Sequence, residues 1–208
     1  MRFDYSATGD SGDHPGVASL ARWQQDIAIA AEQLLRTANV SRLVVLGLGL
    51  GGLLALRASV DGLIQPRHLM LWDPVVDGSE YLRELAAAHR HFMDAELPPG
   101  VRDGGSMVDA RGYPTEALGS VLAPPLVDEL AATDISRLAP AAELVTVICT
   151  RDTPAMRKLR ASLGSGSSVT WLDMRANSDW NSEAALNNAT VPIDVVEAIV
   201  RRVQETSS

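Results

Sequence analysis

The residues that most directly suggest chemistry are the glycines of segment 47–52, whose sequence is G-L-G-L-G-G. The segment joins an apolar run to a helical pattern, so its backbone amides should lie at a helix start and point above the sheet. One interpretation takes Gly47, Gly49 and Gly52 as the G-x-G-x-x-G motif of dinucleotide-binding proteins. Asp73, at the end of the next predicted strand, would then bind the ribose.

A second interpretation takes residues 47–51 as a nucleophile elbow, G-x-S-x-G, with Gly49 in the serine position. An elbow holds its central residue in a strained backbone state, and flanking glycines let strand and helix pass closely. A central glycine keeps the bend and loses the nucleophile. In a third interpretation the glycines only relieve crowding. We favour the elbow, because a lone G-x-G-x-x-G is a weak signal, and expect Leu48, Leu50 and Asp73 to line a ligand pocket there.

This turn lies within an alternation of predicted strands and helices. Continuous apolar runs predict strands that are buried on both faces, and apolar residues at helical spacing predict amphipathic helices. In chain order we expect an edge strand at 2–5, a helix from 20, a strand at 43–46, a helix at 50–59, strands at 68–72 and 144–149, a helix at 154–163, a strand at 168–172 and a helix from 192. The pattern predicts a single α/β domain over 1–208 with a mostly parallel sheet flanked by helices.

The middle of the chain departs from this alternation. Residues 81–93 and 124–130 have helical patterns, and the stretch between them is rich in glycine and proline. We therefore expect an insertion at about 77–139. His89 and His91 lie two apart on the first of these helices, so they should point to different faces, on the surface rather than in a metal site.

Composition and charge restrict the partners. Apolar residues make up 46% of the chain and charged residues 21%, which is typical of a folded globular domain. The net charge of −8 disfavours nucleic acid and anionic membranes, which would repel the protein. The single cysteine, Cys149, excludes an internal disulfide, and the longest apolar stretch, 43–56, is interrupted by four glycines. We expect a cytoplasmic protein with no metal or cofactor.

Two other segments resemble α/β-hydrolases. Residues 2–12 (RFDYSATGDSG) look like the R-x-D-x-x-G-x-G-x-S strand and loop before the elbow of serine-aminopeptidase-like members, with Ala7 in place of the first glycine. Residues 71–85 (LWDPVVDGSEYLREL) are similar to the hydrolases associated with exosortase systems. The resemblance covers most of the chain. It implies an α/β-hydrolase-like fold in which the segments around 112–114 and 134–135 belong to a small helical cap.

The resemblance also implies a catalytic triad of which only the acid has a candidate. Asp152, just after the strand at 144–149, stands where the acid would be. The histidine would follow the last strand, and residues 176–180 (ANSDW) contain none. With Gly49 in the nucleophile position, ordinary serine hydrolase activity is not expected.

A further implication concerns the sheet. The family has three strands before the one at 2–5, and this chain starts too late to include them. The third of them would lie between 2–5 and 43–46, so we expect a gap that is closed by direct pairing or filled by another chain.

The predicted function is that of a degenerate α/β-hydrolase homologue that binds a small acyl or hydrophobic ligand or a protein partner, including a second copy at the incomplete sheet edge. One alternative is an active esterase or acyl-transfer hydrolase, completed by another chain or using atypical residues. The other is an oxidoreductase that binds a nicotinamide dinucleotide.

Overall fold

The computed structural model describes residues 2–96, 108–164, 168–174 and 192–207. In chain order its elements are a single 3-10 turn (Pro15–Val17), α1 (Leu20–Ala38), β1 (Val44–Leu48), α2 (Leu50–Val60), β2 (His68–Trp72), α3 (Gly78–Glu96), β3 (Glu116–Ala117), β4 (Ser120–Val121), α4 (Pro124–Ala131), β5 (Leu144–Cys149), α5 (Pro154–Leu163), β6 (Val169–Asp173) and α6 (Ile193–Ser207).

The main sheet has four parallel strands in the order β1-β2-β5-β6. Every residue of β2 is buried, because this strand has a neighbour on each side and packed helices on each face. A continuous apolar sequence is what such a position requires. The expected α/β class, with a parallel sheet flanked by helices, is confirmed.

Helices cover the two faces of the sheet unequally. α1, α2 and α5 pack on one face, where the buried core includes Leu53, Leu69 and Leu159. α6 packs on the other face, where Val195 meets Met70 and neighbouring apolar side chains of β2 and β5. None of the helices in the described ranges is long and apolar enough to cross a membrane.

A buried histidine ties α6 to the sheet. His68 on β2 contacts the hydroxyl of Thr146 on β5 through Nε2 at 2.8 Å and that of Thr206 on α6 through Nδ1 at 3.2 Å. Burial, aided by the nearby charge of Arg202, lowers the pKa of His68. The ring is therefore a neutral cross-link between three elements.

The inserted region contains α3, the short β3–β4 hairpin and α4. α3 begins at Gly78 because Asp77 caps it, accepting hydrogen bonds from Ser79 Oγ at 2.7 Å and Glu80 N at 2.9 Å. The helix start also meets the end of α4, since a Cβ on Gly78 would lie 2.0 Å from the carbonyl oxygen of Leu130. That this region, 77–139, acts as a cap stays a prediction.

The expectation that His89 lies on the surface is wrong. His89 is buried under the hairpin, and its Nδ1 accepts a hydrogen bond from the backbone N–H of Leu118 at 3.0 Å. The helical pattern of α3 gives no sign of the hairpin that folds over it, so the sequence could not indicate this burial.

The predicted edge strand at 2–5 is also wrong, because these residues adopt no strand and pair with no described strand. Instead α1 binds this segment. The Tyr5 ring packs against Trp23 with 5.6 Å between ring centroids, and Trp23 Nε1 donates to Ser6 O at 2.9 Å. Ser6 also donates to the carboxylate of Asp26 from its N–H and its hydroxyl. These side-chain contacts hold residues 5 and 6 against α1 without a neighbouring strand.

Candidate ligand site above the Gly49 turn

Gly49 joins β1 to α2 with φ 52° and ψ −118°. L-residues avoid this combination, because the Cβ crowds the backbone at positive φ. Hydrogen bonds on both sides fix the turn: Gly49 N donates to Trp72 O at 3.0 Å, and Gly49 O accepts from Gly52 N and Val75 N, each at 3.0 Å. The end of β2 and the loop after it therefore hold the backbone of Gly49 in place.

The neighbouring glycines are required for a different reason. A Cβ on Gly47 would lie 2.5 Å from the carbonyl oxygen of Gly51, and one on Gly52 would lie 2.8 Å from Cβ of Pro74. Close packing of strand, helix and loop thus explains Gly47 and Gly52. It does not explain Gly49, whose backbone conformation is free of strain in glycine and strained in an L-residue. The sharp strand-to-helix bend is what the elbow interpretation predicts.

A pocket of about 160 Å³ lies over this bend. The three residues named from the sequence, Leu48, Leu50 and Asp73, all line it together with Gly49. The loop after β2, α3 and the start of the β5–α5 connection complete the lining with Pro74, Val75, Val76, Asp77, Glu80, Tyr81, Glu84, Arg151, Thr153 and Ala155. The amide of Leu50, the first residue of α2, has no intrahelical acceptor, and Leu50 lines this space.

Asp73 connects two of the segments that line the pocket. It is buried and has a φ of 41°. One carboxylate oxygen accepts a hydrogen bond from Thr150 N at 2.8 Å, and the other accepts one from Thr150 Oγ1. The carboxylate therefore fastens the end of β2 to the loop after β5. A ribose-binding acid would need to present these oxygens to a ligand, so the geometry disfavours the dinucleotide interpretation.

The α3 side of the pocket is acidic. Burial alone would raise the pKa of Asp77, but hydrogen bonds from Ser79 and the Glu80 amide outweigh it and hold this pKa below its ordinary value. Burial, with the nearby Glu84, raises the pKa of Tyr81. Asp77 is thus an anion and Tyr81 a neutral phenol at neutral pH. Since Arg151 is the one basic residue in the described lining, the site disfavours multiply charged anions.

Asp152 lies apart from this pocket. Its side chain is 78% exposed and pairs with Arg157 at 3.1 Å on the surface of α5. It borders a neighbouring pocket that also includes Cys149. The structure therefore brings Asp73, but not Asp152, beside Gly49. An acid role for Asp152 stays a prediction, and the segment 176–180, where a histidine would follow, lies outside the described residues.

Cys149, the single cysteine of the chain, is unsuited to nucleophilic attack. Burial raises its pKa to about 11, although Arg160 lies 4.0 Å from its Sγ. The thiol is protonated at neutral pH, and only the thiolate is reactive. Arg160 instead pairs with Asp173 and lies over the ring of Trp171 at 4.6 Å from its centroid.

Three pocket residues of the inserted region were not predicted from the sequence. Glu80, Tyr81 and Glu84 lie within two turns of one helix, at the spacing that places side chains on neighbouring positions of a helix surface. That spacing was visible in the sequence. The sequence did not indicate which side of α3 faces the pocket.

No family model and no curated protein sequence matches this chain. Solved structures do match. The α/β hydrolase domain-containing protein 10 from mouse aligns over 100% of this chain and 78% of its own, with a TM-score of 0.56 and 16% identity. A thermophilic esterase from Thermogutta terrifontis aligns over 99% of this chain and 79% of its own, with a TM-score of 0.56 and 17% identity.

A monoacylglycerol lipase from Paleococcus ferrophilus aligns over 96% of this chain and 82% of its own, with a TM-score of 0.53 and 16% identity. At these identities the matches report on the fold rather than on the chemistry. Together with the parallel sheet and the Gly49 bend, they show that this chain has an α/β-hydrolase fold.

Proposed function

We propose that this protein is an α/β-hydrolase-fold binding protein that lacks serine hydrolase activity and binds a small acyl or hydrophobic ligand above Gly49. The observation that carries the proposal is the backbone of Gly49, which has the bent conformation of an elbow at the bottom of a pocket and no side chain to attack with. Attack on an acyl group needs a nucleophile at that bend, and its loss costs several powers of ten in rate.

The size and lining of the pocket support a small, neutral ligand. A cavity of about 150 Å³ in another protein holds benzene, so about 160 Å³ accommodates roughly six non-hydrogen atoms. Apolar walls from Leu48, Val75 and Val76 suit a short hydrocarbon chain. The N–H of Leu50 at the start of α2 could donate a hydrogen bond to the carbonyl oxygen of the ligand, and the acidic groups on α3 disfavour a free carboxylate.

An ester assay tests the loss of catalysis. Purified protein is expected to hydrolyse p-nitrophenyl acetate and butyrate no faster than the variants Gly49→Ala and Asp152→Asn. Each of these alters a position that an active hydrolase of this fold would need. Robust turnover by the wild-type protein that Asp152→Asn abolishes would contradict the proposal and favour an active hydrolase with atypical residues.

A binding assay tests the ligand site. Ethyl acetate and butyramide, each of about six non-hydrogen atoms, are expected to raise the melting temperature of the wild-type protein. Val75→Phe should abolish the shift, because Val75 lines the pocket and a ring would fill it. Val121→Phe is the matched control, since Val121 is exposed on the β3–β4 hairpin and does not line the pocket. An equal shift in both variants would place binding elsewhere.

The dinucleotide alternative has its own test. Binding of NADH over the bend would quench the fluorescence of nearby tryptophans, and the backbone of Trp72 is hydrogen-bonded to Gly49. No saturable quenching is expected, because the carboxylate oxygens of Asp73 are already engaged by Thr150. Saturable quenching that Asp73→Asn weakens would favour an oxidoreductase.

A further inference from the structure

β1 is an outer strand of the main sheet, and β2 is the only described strand that pairs with it. The hydrogen bond from Gly49 N to Trp72 O fixes which residues face β2. Backbone groups alternate in direction along a strand, so Val44, Leu46 and Leu48 direct their N–H and C=O groups away from β2. These three residues present an edge that can accept another strand.

The side chains of the same residues are exposed on the face that α6 covers elsewhere. Leu46 lies beside Met70 in the register between the two strands, and Met70 is fully buried beneath α6. Val44, Leu46 and Leu48 are 36%, 39% and 38% exposed. Apolar residues with this pattern are typical of a strand that is covered on both faces, and within the described part of the chain β1 is covered on one face only.

An uncharged groove of about 350 Å³ runs along this edge. Phe3 and Tyr5 border it together with β1 and the apolar side of α1, which contributes Ile27 and Leu34. None of its described lining residues is charged, although the chain as a whole has a net charge of −8. The uncharged lining of the groove therefore favours an uncharged occupant.

The groove does not close by pairing of the first residues with β1, because α1 holds them. Ser6 donates to the Asp26 carboxylate at 2.7 and 2.9 Å, and Trp23 Nε1 donates to Ser6 O at 2.9 Å. Tyr5 packs against the Trp23 ring. These contacts keep the segment at a fixed place on α1, and among the residues that the structure describes only β2 pairs with β1.

We propose that this groove binds one extended, uncharged β-strand from a separate polypeptide, which pairs with the outward N–H and C=O groups of β1. One side of that strand would face α1 near Leu34, and the other would extend the apolar surface of Val44, Leu46 and Leu48. Because both sides meet apolar surface, the partner segment is a continuous aliphatic run without proline.

The area of the groove favours a single segment over a second copy of this chain. Phe3, Leu34 and the three exposed residues of β1 are 36% to 46% exposed. They form a patch on the order of 300–400 Å², whereas a stable interface buries about 800 Å² on each partner. A strand reaches high affinity on such a patch through its main-chain hydrogen bonds.

Peptide binding tests the proposal. The probe is a fluorescently labelled peptide with a central run of valine and isoleucine between lysine-rich ends, and its control has proline at the centre of the run. The first is expected to bind the wild-type protein at least tenfold more tightly than the second. Leu46→Pro should weaken binding at least tenfold, since it removes an outward N–H and leaves the bonds to β2 intact. Leu46→Ala, which keeps the N–H, should weaken it less.

Hydrogen exchange on the wild-type protein gives a second measurement that does not depend on variants. The amides of Leu46 and Leu48 are expected to exchange rapidly in the free protein and to become protected when the peptide is added. Equal binding of the two peptides, or protection of these amides in the free protein, would overturn the proposal. A concentration-dependent dimer that Leu46→Pro dissociates would assign the edge to a second copy, and would also overturn it.

Discussion

Two strand-to-helix junctions lie where the parallel strands β1 and β5 end, and the two helices that follow begin in different ways. β1 passes into α2 through Gly49, with no side-chain cap and glycines packed against backbone on both sides. β5 passes into α5 through a short loop, after which Thr153 caps the helix by accepting from Met156 N at 3.1 Å and Pro154 takes the first helical position. The second junction follows the ordinary chemistry of helix starts.

The difference shows which junction serves the site. At the β5–α5 junction Thr153 accepts a hydrogen bond from the amide of Met156, and Pro154 has no N–H to donate. The β1–α2 junction uses no side chain, and the pocket lies over it. Backbone conformations that strain an L-residue cluster at active sites and ligand-binding sites. Variants of each junction test whether this contrast is real.

Gly47→Ala is expected to have the largest effect, a loss of about 2–4 kcal/mol in the free energy of unfolding. The added Cβ would lie 2.5 Å from Gly51 O and 2.6 Å from Gly52 Cα, and backbone atoms cannot move aside as a side chain can. Urea denaturation measures the change. Gly51→Ala is the control, because nothing lies within 4 Å of its Cβ and a helical alanine should stabilise by about 0.5–1 kcal/mol. Equal effects of the two substitutions would refute the close packing.

Gly49→Ala should cost about 1–3 kcal/mol, because an L-residue would be forced into a disfavoured backbone conformation. Gly62→Ala is the matched control, since Gly62 also has a positive φ and lies in open space. We expect the substitution at Gly49 to be the more costly of the two, again by urea denaturation. A wild-type melting temperature in Gly49→Ala would mean that the bend is not held in the conformation described.

The sequence predicted the elements of this fold closely where a local pattern decides them. The helix at 154–163 was predicted with the bounds that α5 has, and the predicted helix at 50–59 differs from α2 by one residue at its end. The strand at 2–5 was wrong, because alternation shows that a segment can form a strand but not whether a neighbour is present to pair with. α1 binds that segment through side chains instead.

The site was also predicted in part: residues at the ends of strands were found, and residues placed by tertiary packing were not. Gly49 and Asp73 were found because each follows an apolar run directly, at the edge of the sheet where the ends of parallel strands meet. Glu80, Tyr81 and Arg151 were not, because they reach the pocket only through the packing of α3 and the loop after β5. The engagement of Asp73 by Thr150 is likewise a tertiary contact between residues 77 positions apart.

Thr153→Ala should cost about 1 kcal/mol, the usual effect of losing an N-cap oxygen. The hydrogen bond from Met156 N would be lost, while Thr153→Ser would keep it. The comparison of the two variants by thermal unfolding isolates the cap from other changes at this position. If serine were as destabilising as alanine, the methyl group rather than the cap would be responsible, and the β5–α5 junction would not be the ordinary helix start described above.

Cys149, at the end of β5, is expected to give the smallest effect, visible only in alkaline solution. Burial raises its folded-state pKa to about 11 from 9.0, so between pH 9 and 11 the unfolded chain loses the thiol proton first. Burial of the neutral thiol therefore contributes fully to the free energy of unfolding below pH 9. This contribution falls as the pH rises toward 11, by on the order of 1 kcal/mol at pH 10. The measurement is the difference in unfolding free energy between wild type and Cys149→Ala at pH 8 and pH 10. Other alkaline titrations, including those of Tyr5 and Tyr81, occur in both proteins and cancel. A difference that does not change with pH would mean that solvent reaches the thiol, and the region after β5 would then be a more open site than the pocket above Gly49.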